Sequence, residues 1–516
     1  MKKLGLMICL AIILTFLGKN AFALELFEGR LHDIKGSVQQ TLNYRTHQDV
    51  RDVKFSSFRT TLRVEGLLDC IKEPTWNVQL YGLFNYWYDN GTNIDQDLKD
   101  AIRLESGGDG GSFGLGAYKK PNTQVQIMKE LYFEVAVGEY FKARLGKQMV
   151  SWGETAESRV ADVINPLDYN NMTAFPDWED YKIGLWMGRF FYAPPNMWQD
   201  ISFELIVIPP DFQYNRYPPA GSGLFFGTAQ GLSMALPFGN FYWPDYMSRF
   251  LSKQRIDAPT NDASNIEVGG RIRGNSWGTD WTLSTFYTRL DSPIFDGAKG
   301  AANQQAIVMN KVIKTFGLPM PKSKIGRVYT YPHYLSTALT FAKPWDWIKS
   351  VIRGEVVLNS GKEYNSNYPI QNKTVTRDLL TSALTWDRKN MIPWFSYWNN
   401  SRSVGTSLTW YHYKLFGHER GIFWEEGLGG VNKSAWDKLT LSVDTGFYHD
   451  TIIPAFNMVY DATNKTTTLV GAIRFAPGDH WRWMVVYQQI NQVQNSAGQD
   501  VGRYQNQLIF SMRYEF

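Results

Sequence analysis

The residue types that could support hydrolysis are present but poorly placed. Residues 110–114 read Gly-Gly-Ser-Phe-Gly and match the Gly-x-Ser-x-Gly pattern of nucleophilic serines. In hydrolases this serine lies on a sharp strand-to-helix turn, and it needs a histidine and an orienting carboxylate nearby. Ser112 lies instead in a glycine-rich stretch, and no serine–histidine set stands out on one strand face. The sequence therefore predicts no enzyme, and a barrel-embedded hydrolase that uses Ser112 is the least favoured alternative.

Metal and cofactor chemistry has equally little support. The seven histidines are scattered, and only His412 and His418 come close together. Their separation of six residues is not a recognised metal-ligand spacing, and Glu419, Glu425 and Glu426 nearby are typical of a solvated loop. The sequence predicts neither a metal site nor a cofactor.

Charged residues at alternate positions of strand-like segments form a more informative set. In a membrane barrel, alternate side chains face lipid and lumen, and charges are tolerated on the lumen side. Such charges act either as ion pairs that stiffen the wall or as a lining that selects solutes, and their mixed signs favour ion pairing for most of them. The candidate lumen-facing charges are Arg59, Arg63, Glu65, Glu130, Glu134, Arg144, Arg353, Glu355, Asp444, Arg474, Arg482 and Arg513.

The elements that position these charges are predicted to be β-strands with a period of two residues. In residues 508–516 large apolar side chains occupy every second position, with Ser511, Arg513 and Glu515 between them. The same alternation recurs along the chain and predicts an all-β, transmembrane antiparallel up-and-down barrel of about 18 strands, with about 16 as the alternative. The predicted strands are 34–45, 55–69, 76–88, 129–138, 141–151, 182–192, 200–208, 265–273, 281–290, 328–342, 347–359, 376–388, 402–413, 437–448, 452–460, 466–476, 480–490 and 504–516.

The connections between these strands alternate between short and long. Outer-membrane barrels have short periplasmic turns and longer extracellular loops, which is the predicted arrangement here. Segments 93–104 and 301–316 have helix-like apolar spacing, so short helices are expected in the loops. Loop 209–264 is the one favoured to enter the lumen, because its length permits it. The long loops are predicted at 89–128, 152–181, 209–264, 291–327 and 414–436.

Export is predicted by the first residues. Lys2 and Lys3 precede an apolar run over residues 4–17 and an Ala-x-Ala site at 21–23, the order of a cleaved secretory signal peptide. This places residues 1–23 in the signal peptide and 24–516 in the barrel. Aromatic residues make up 15% of the chain although its mean hydropathy is −0.32, as expected when apolar and polar positions alternate. The predicted location is the outer membrane of a Gram-negative cell.

Charge and cysteine content exclude two other classes of protein. Basic residues exceed acidic ones by four, and three of the basic residues lie in the signal peptide. A chain so close to neutral lacks the basic surface of a nucleic-acid-binding protein, and no nucleic-acid partner is predicted. Only Cys70 remains after cleavage, which excludes a disulfide framework.

One block of sequence resembles a known family. Residues 144–154 read Arg-Leu-Gly-Lys-Gln-Met-Val-Ser-Trp-Gly-Glu, and 163–168 read Val-Ile-Asn-Pro-Leu-Asp. This block resembles the bacterial outer-membrane barrels catalogued as domain of unknown function 1302. Its family-like residues are Ser151, Trp152, Gly153, Glu154, Asn165 and Pro166. We expect the block to fold inward against the barrel wall, with Glu154 pairing with a lumen arginine.

The resemblance implies a barrel of unsettled cargo and gives no catalytic residues. It also implies association with a periplasmic-facing lipoprotein and an inner-membrane exporter, and hence traffic in lipids or hydrophobic compounds. Together with the barrel size, it favours an outer-membrane channel or transport barrel for hydrophobic or amphipathic solutes or lipids. A non-conducting barrel that docks a lipoprotein is the alternative. Outer-membrane lipid is an expected partner, and so is the β-barrel assembly machinery, which is expected to recognise Tyr514 and Phe516.

Overall fold

The protein is a closed antiparallel β-barrel of 18 strands. The structure, a computed structural model, describes residues 31–46, 54–105, 126–155, 159–168, 178–195, 200–216, 255–256, 259–292, 294–295, 328–366, 373–391, 403–419, 422, 433–463, 465–491 and 506–516. Each barrel strand pairs with the barrel strand before it in the chain, and the last strand pairs with the first to close the sheet. The barrel strands are β1 (Leu31–Arg45), β2 (Phe55–Lys72), β3 (Trp76–Asp89), β4 (Met128–Val137), β5 (Phe141–Gln148), β6 (Leu185–Tyr192), β7 (Ser202–Ile208), β9 (Glu267–Ser276), β10 (Thr279–Arg289), β13 (His333–Trp345), β14 (Ser350–Ser366), β15 (Lys373–Asn390), β16 (Val404–Leu415), β17 (Ala435–Asp444), β18 (Ile452–Asp461), β19 (Thr466–Phe475), β20 (Trp481–Asn491) and β21 (Gln507–Glu515).

Alternation along each strand separates an apolar outer face from a mixed inner face. Large side chains such as Phe133, Leu339, Leu384 and Phe510 lie exposed at every second position, and the register places them on one side of the sheet. The intervening positions hold charged, hydroxyl and small apolar side chains, most of them buried or half-buried. Because the sheet closes on itself, its backbone N–H and C=O groups are paired around the whole circumference.

All 18 predicted strands overlap observed ones, which excludes the 16-stranded alternative. The largest differences lie at strand ends. Strands β14 and β15 run beyond their predicted ends because Gly361, at φ +75°, forms a bulge between Asn359 and Lys362 after which pairing resumes. Strand β17 ends four residues before the predicted end at 448, where Tyr448, His449 and Asp450 all adopt positive φ.

Among the described residues, three short strands lie outside the barrel sheet. They are β8 (Arg255–Ile256), β11 (Ile294–Phe295) and β12 (Val328–Thr330), and they form a small sheet of their own. The first residues of the predicted strand 328–342 therefore belong to this small sheet, and the barrel strand begins at His333.

The connections fall into two sets at opposite ends of the barrel. Those at one end, such as 73–75, 138–140 and 277–278, are tight turns, whereas 90–127, 149–184, 209–266 and 290–332 at the other end are long. Connection 90–127 includes the helices Gly91–Ile94 and Gln96–Glu105, which overlap the helical segment expected at 93–104. The helical segment expected at 301–316 lies outside the described residues, as do the signal peptide and Ser112.

The seam between the first and last strands is sealed near the short-turn end. Phe516 and Gly36 exchange two backbone hydrogen bonds of 2.9 Å each. The Phe516 ring lies over Gly36 so closely that a Cβ there would come within 2.3 Å of the ring. Tyr514 packs edge-to-face on Trp481 with ring centroids 5.0 Å apart.

Two negative findings hold for the described part of the chain. None of its helices is long and apolar enough to cross a membrane. No group of three or more histidine, cysteine or acidic side chains in it is arranged to hold a metal ion.

Candidate functional site

The connection between β5 and β6 folds into the barrel. Its described residues 149–155 and 159–168 are called the inner strap below. Trp152 and Ile164 pack among inner-face side chains of β6, β7 and β10, whereas Val160 and Ala161 pack among those of β13–β17. The strap therefore spans from one part of the inner wall to another. The family-like residues lie in this strap, so the block folds inward, as expected from the sequence.

A single carboxylate on β14 holds the middle of the strap. Glu355 accepts hydrogen bonds from the backbone N–H groups of Glu154, Thr155 and Ala161, at 2.5 Å for Thr155 and 3.0 Å for Ala161. Two residues away, Arg353 Nη1 donates to the carbonyl oxygen of Glu154, and its Nε lies 2.7 Å from Asp387. Glu355 and Arg353 are called the latch. A lumen arginine therefore contacts Glu154, but at its main-chain carbonyl and not at the side chain that was expected to pair with it.

Gly153 lies against the latch, but the geometry there does not require glycine. Its φ lies outside the left-handed region, so the residue is not required for a tight turn. A Cβ at this position would make ordinary van der Waals contacts, 3.4 Å from Glu355 Oε1 and 3.5 Å from Asp162.

Asn165 fixes the two ends of the strap to each other. Its Oδ1 accepts the N–H of Val150 at 2.7 Å, and its Nδ2 donates to the carbonyls of Gln148 and Ile183 at 3.2 and 2.8 Å. The side chain is fully buried. Pro166 has no N–H to satisfy, and its carbonyl accepts the N–H of Ile183 at 2.9 Å. Asn165 and Pro166 thus join the strap to the segment that leads into β6.

Lys182 adds a buried charge to this junction. Its Nζ lies 2.5 Å from Asp162 and donates to the carbonyl of Val150 at 2.9 Å. Burial lowers the pKa of Lys182 below its ordinary value, although the nearby Asp162 carboxylate opposes the shift. The same ammonium group therefore ties both limbs of the strap together.

The predicted charges on β2–β5 form ion pairs along the inner face. Arg63 lies 3.1 Å from Glu65, which also accepts a hydrogen bond of 3.1 Å from the Tyr81 hydroxyl. Glu134 is held by Arg144 and by Lys142, each at 2.5 Å. These ion pairs on β2–β5, together with the ion pairs on β6, β7 and β9 described below, are called the charged wall.

Two further predicted charges support the wall near its long-loop end. Arg59 lies 3.4 Å from Asp89 and stacks over the Trp87 ring, 4.3 Å from its centroid. Glu130 accepts the N–H of Met149 at 2.8 Å and so holds the first residue of the strap.

The tightest ionic contact in the wall was missed in the sequence. Glu204 on β7 is bound by Arg189 at 2.7 Å and by Arg271 on its other oxygen, with Arg273 at 3.7 Å. Its side chain is only 1% exposed. Arg271 also lies over Trp152 of the strap, 5.1 Å from the ring. The apolar residues on both faces of β6 hid Arg189. A search for arginines in register with Glu204 would have found Arg271, whereas Arg189 lies diagonally from Glu204, opposite Ile206.

The remaining predicted charges lie on other strands. Asp444 and Arg474 lie on the inner faces of β17 and β19. Arg482 and Arg513 are register partners, and both approach Glu515, at 3.4 and 3.3 Å. The structure therefore does not gather the twelve candidates into one site. It brings Glu130, Arg353 and Glu355 to the strap and places seven of the others in ion pairs elsewhere on the inner face.

A second part of the inner wall has the opposite character. Val470, Ala472, Val486 and Ile509 form a buried cluster on the inner faces of β19–β21, with Ala455 and Met484 packed beside it. This cluster is called the aliphatic patch. It is separated from the charged wall by β1, whose inner face holds uncharged polar residues such as Gln39, Thr41 and Asn43.

The other predicted sites are partly outside the described residues. The beginning of loop 209–264 is described to residue 216, and Asn215 accepts the N–H of Leu167 at 2.6 Å. Residues 217–254, which carry most of the predicted lumen insertion, are outside the described part. His412 lies 2.9 Å from Asp437 on the outer face, and Glu419 pairs with Arg377 instead of with a histidine.

The family model described as "Protein of unknown function (DUF1302)" matches residues 13–511. The chain belongs to this family. The family resemblance that the strap block indicated is thereby confirmed, and it extends over nearly the whole chain. A search of curated proteins finds no match to it.

Several solved porin structures are similar to this DUF1302 chain. OmpF of Salmonella typhi in complex with daunomycin has 8% identity and a TM-score of 0.39, covering 94% of this chain and 97% of that one. OpdK of Pseudomonas aeruginosa with vanillate has 8% identity and a TM-score of 0.42, covering 94% and 98%. A mutant porin of Rh. blastica has 9% identity and a TM-score of 0.36, covering 94% and 100%. Likeness at this level carries no argument about the solute.

Proposed function

We propose that this DUF1302 protein is an outer-membrane channel for hydrophobic or amphipathic solutes. A membrane location is supported by the outer face, where exposed aliphatic and aromatic side chains such as Phe133, Leu339 and Phe510 match a hydrocarbon environment. Tryptophans near the short turns, including Trp76, which is 51% exposed, suit the boundary between lipid and water.

The inner strap is the observation that carries the channel proposal. A barrel of 16–18 strands is wide enough for an aqueous interior, so a segment that crosses the inner wall narrows the passage. The strap is held there by the latch, by Asn165 and by Lys182, all of them buried or half-buried. A constriction fixed at so many points sets the size of the solute.

The chemistry of the two inner surfaces suggests the class of solute. The charged wall leaves Arg63, Glu65 and Arg144 half-buried, whereas the margin of the aliphatic patch leaves only apolar side chains half-buried, those of Ala455 and Met484. A molecule with a polar end and an apolar body has groups that suit both surfaces. This match supports amphipathic solutes over small sugars or inorganic ions.

The latch provides the test. In Glu355→Ala, the three strap N–H groups lose their acceptor, at about 1–3 kcal/mol for each donor that stays buried. We expect the strap to leave the wall and the single-channel conductance in planar bilayers to rise several-fold. The matched control is Glu139→Ala, which removes an exposed carboxylate from a short turn. Its conductance should equal that of the wild type.

Two outcomes would contradict the channel. The first is the absence of conductance and of solute flux in liposomes for both the wild type and Glu355→Ala. The second is a silent barrel that instead retains a periplasmic-facing lipoprotein in pull-downs, which would favour the docking function. An inner-membrane exporter recovered with that lipoprotein would extend the same alternative.

A further inference from the structure

The outer face of the barrel contains a trough that the channel proposal does not use. Gly270, Thr285 and Thr337 are register partners on β9, β10 and β13 and form a row of small outward-facing residues. The row on one side of it holds Phe203, Ile272 and Leu283, and the row on the other holds Val268, Tyr287 and Leu335. A row of small side chains between two rows of large ones leaves a groove across the strands.

On the side of Phe203, Ile272 and Leu283, this groove is a defined cavity in the outer surface. Its volume is about 560 Å³, within the range of small-molecule sites. Phe190 and Leu205 continue its wall over β6 and β7, and Phe141 and Tyr192 border it toward the short-turn end. At about 4.8 Å between strands, the three steps from β7 to β13 extend over about 14 Å.

The lining of the groove selects an apolar occupant. Glu204 and Arg271 contribute to its floor, but their charged groups point inward and bind each other. On the outer surface the only polar side-chain groups of the lining are the tyrosine hydroxyl at its border and two threonine hydroxyls 3.4 Å apart. The groove is also continuous with the exposed apolar belt of the barrel. It therefore presents no charge for a lipid headgroup or an acidic or basic peptide.

We propose that the groove binds one acyl chain of an outer-membrane lipid. A flexible chain fits a narrow, uncharged trough that opens onto hydrocarbon. A second copy of this protein fits less well, because two convex barrels touch along a ridge and cannot fill a groove in either wall. The proposal rests on the membrane location proposed above.

Gly270 allows the groove to be filled without disturbing the sheet. Its φ is outside the left-handed region, and a Cβ would meet nothing nearer than a carbonyl oxygen at 3.9 Å. Gly471 is a matched control on the outer face of β19, where a Cβ also meets nothing within 4 Å. Gly471 lies between Phe456 and Tyr487 in its register row, so it is not part of a row of small residues.

The experiment measures lipid binding to the purified barrel by native mass spectrometry. The wild type, Gly270→Phe and Gly471→Phe are each titrated with long-chain phosphatidylethanolamine in detergent. We expect the Kd of the first lipid to rise at least about tenfold in Gly270→Phe and to stay unchanged in Gly471→Phe. Phosphatidylglycerol of the same chain length should bind the wild type equally well, whereas shortening the chains should weaken binding.

Several results would overturn the acyl-chain site. They are equal lipid affinity in all three proteins, a strong preference for one headgroup, or a wild-type dimer that Gly270→Phe dissociates. Conductance of the same three samples is recorded in parallel. Conducting barrels without a groove-bound lipid would reject this site alone, whereas lipid binding without conductance would reject the channel alone. Conductance together with heat-dependent gel migration also shows whether Gly270→Phe folds.

Discussion

The charged wall and the aliphatic patch lie on the inner face of the same sheet, yet they are held together by different forces. In the wall, buried ions such as Glu204 have direct partners of opposite charge. In the patch, Val486 and Ile509 are equally buried but contribute only apolar contacts. The difference shows that the interior of a barrel can be partly ionic and partly dry. It also predicts that the two regions respond differently to substitution.

The largest effect is expected from the centre of the charged wall. Glu204→Ala leaves Arg189 and Arg271 buried without their shared carboxylate, which costs about 3–5 kcal/mol in the free energy of unfolding. Urea unfolding of the barrel in detergent micelles, followed by tryptophan fluorescence, measures this loss.

A more exposed carboxylate offers the control. Glu515 also contacts two arginines, but about a third of its side chain is exposed. Glu515→Ala should therefore cost no more than about 1 kcal/mol. Equal losses in the two variants would mean that burial does not distinguish these ion pairs.

The half-buried margin of the aliphatic patch should affect transport more than stability. Met484→Ala shortens the apolar side chain there, and each methylene lost removes roughly 0.8 kcal/mol of apolar contact. If an amphipathic solute crosses this margin, its flux in proteoliposomes should fall about fourfold for each methylene that it no longer contacts, whereas the flux of a small sugar should not fall. An equal fall for both solutes would indicate a general change in the pore.

The smallest effect is expected from Asp95, which lies between the two helices of connection 90–127 at the long-loop end of the barrel. Burial opposes ionisation of Asp95, but backbone N–H groups of Phe55, Leu98 and Lys54 outweigh it and hold the pKa of this carboxyl below its ordinary value. The stabilisation is therefore present above the ordinary pKa of about 3.9 and is lost as the pH falls through the lower folded-state value.

Two variants separate the cap from the charge. Asp95→Ala should lose about 1 kcal/mol at neutral pH because the helix Gln96–Glu105 loses its N-terminal cap. Asp95→Asn should keep most of the helix cap and lose the part of the stability that depends on pH. Thermal unfolding between pH about 7 and about 2 measures both. If Asp95→Asn loses as much stability in acid as the wild type does, the pH dependence comes from other carboxylates.

The barrel strands could be predicted because outward and inward side chains alternate along each of them. An outward position must be apolar whatever its neighbours are, so a period of two residues locates a strand without knowledge of its partners. This reasoning located all 18 barrel strands. It missed the short strands β8 and β11, assigned residues 328–330 to the barrel instead of the small sheet, and misplaced strand ends, as at the Gly361 bulge.

The candidate site was less predictable because its contacts are remote in sequence. Glu355 could be assigned to an inner face, but nothing in its neighbourhood indicates that it binds residues about 200 positions earlier. Loop length favoured 209–264 as the inserted segment, and most of that loop lies outside the described residues. The strap, which does enter the barrel, is shorter, and its length gave no reason to favour it. Hydrogen bonds to main-chain groups can hold a loop whatever its side chains are, so the amino-acid composition of the loop does not reveal them.

The latch also bears on how such a protein can diversify. Glu355 and Arg353 bind the strap through main-chain N–H and C=O groups that every residue type other than proline possesses. A substitution at Glu154 therefore changes the side chain near the passage without unfastening the loop. Natural selection can thus alter solute preference at this position one residue at a time, while the constriction stays in place.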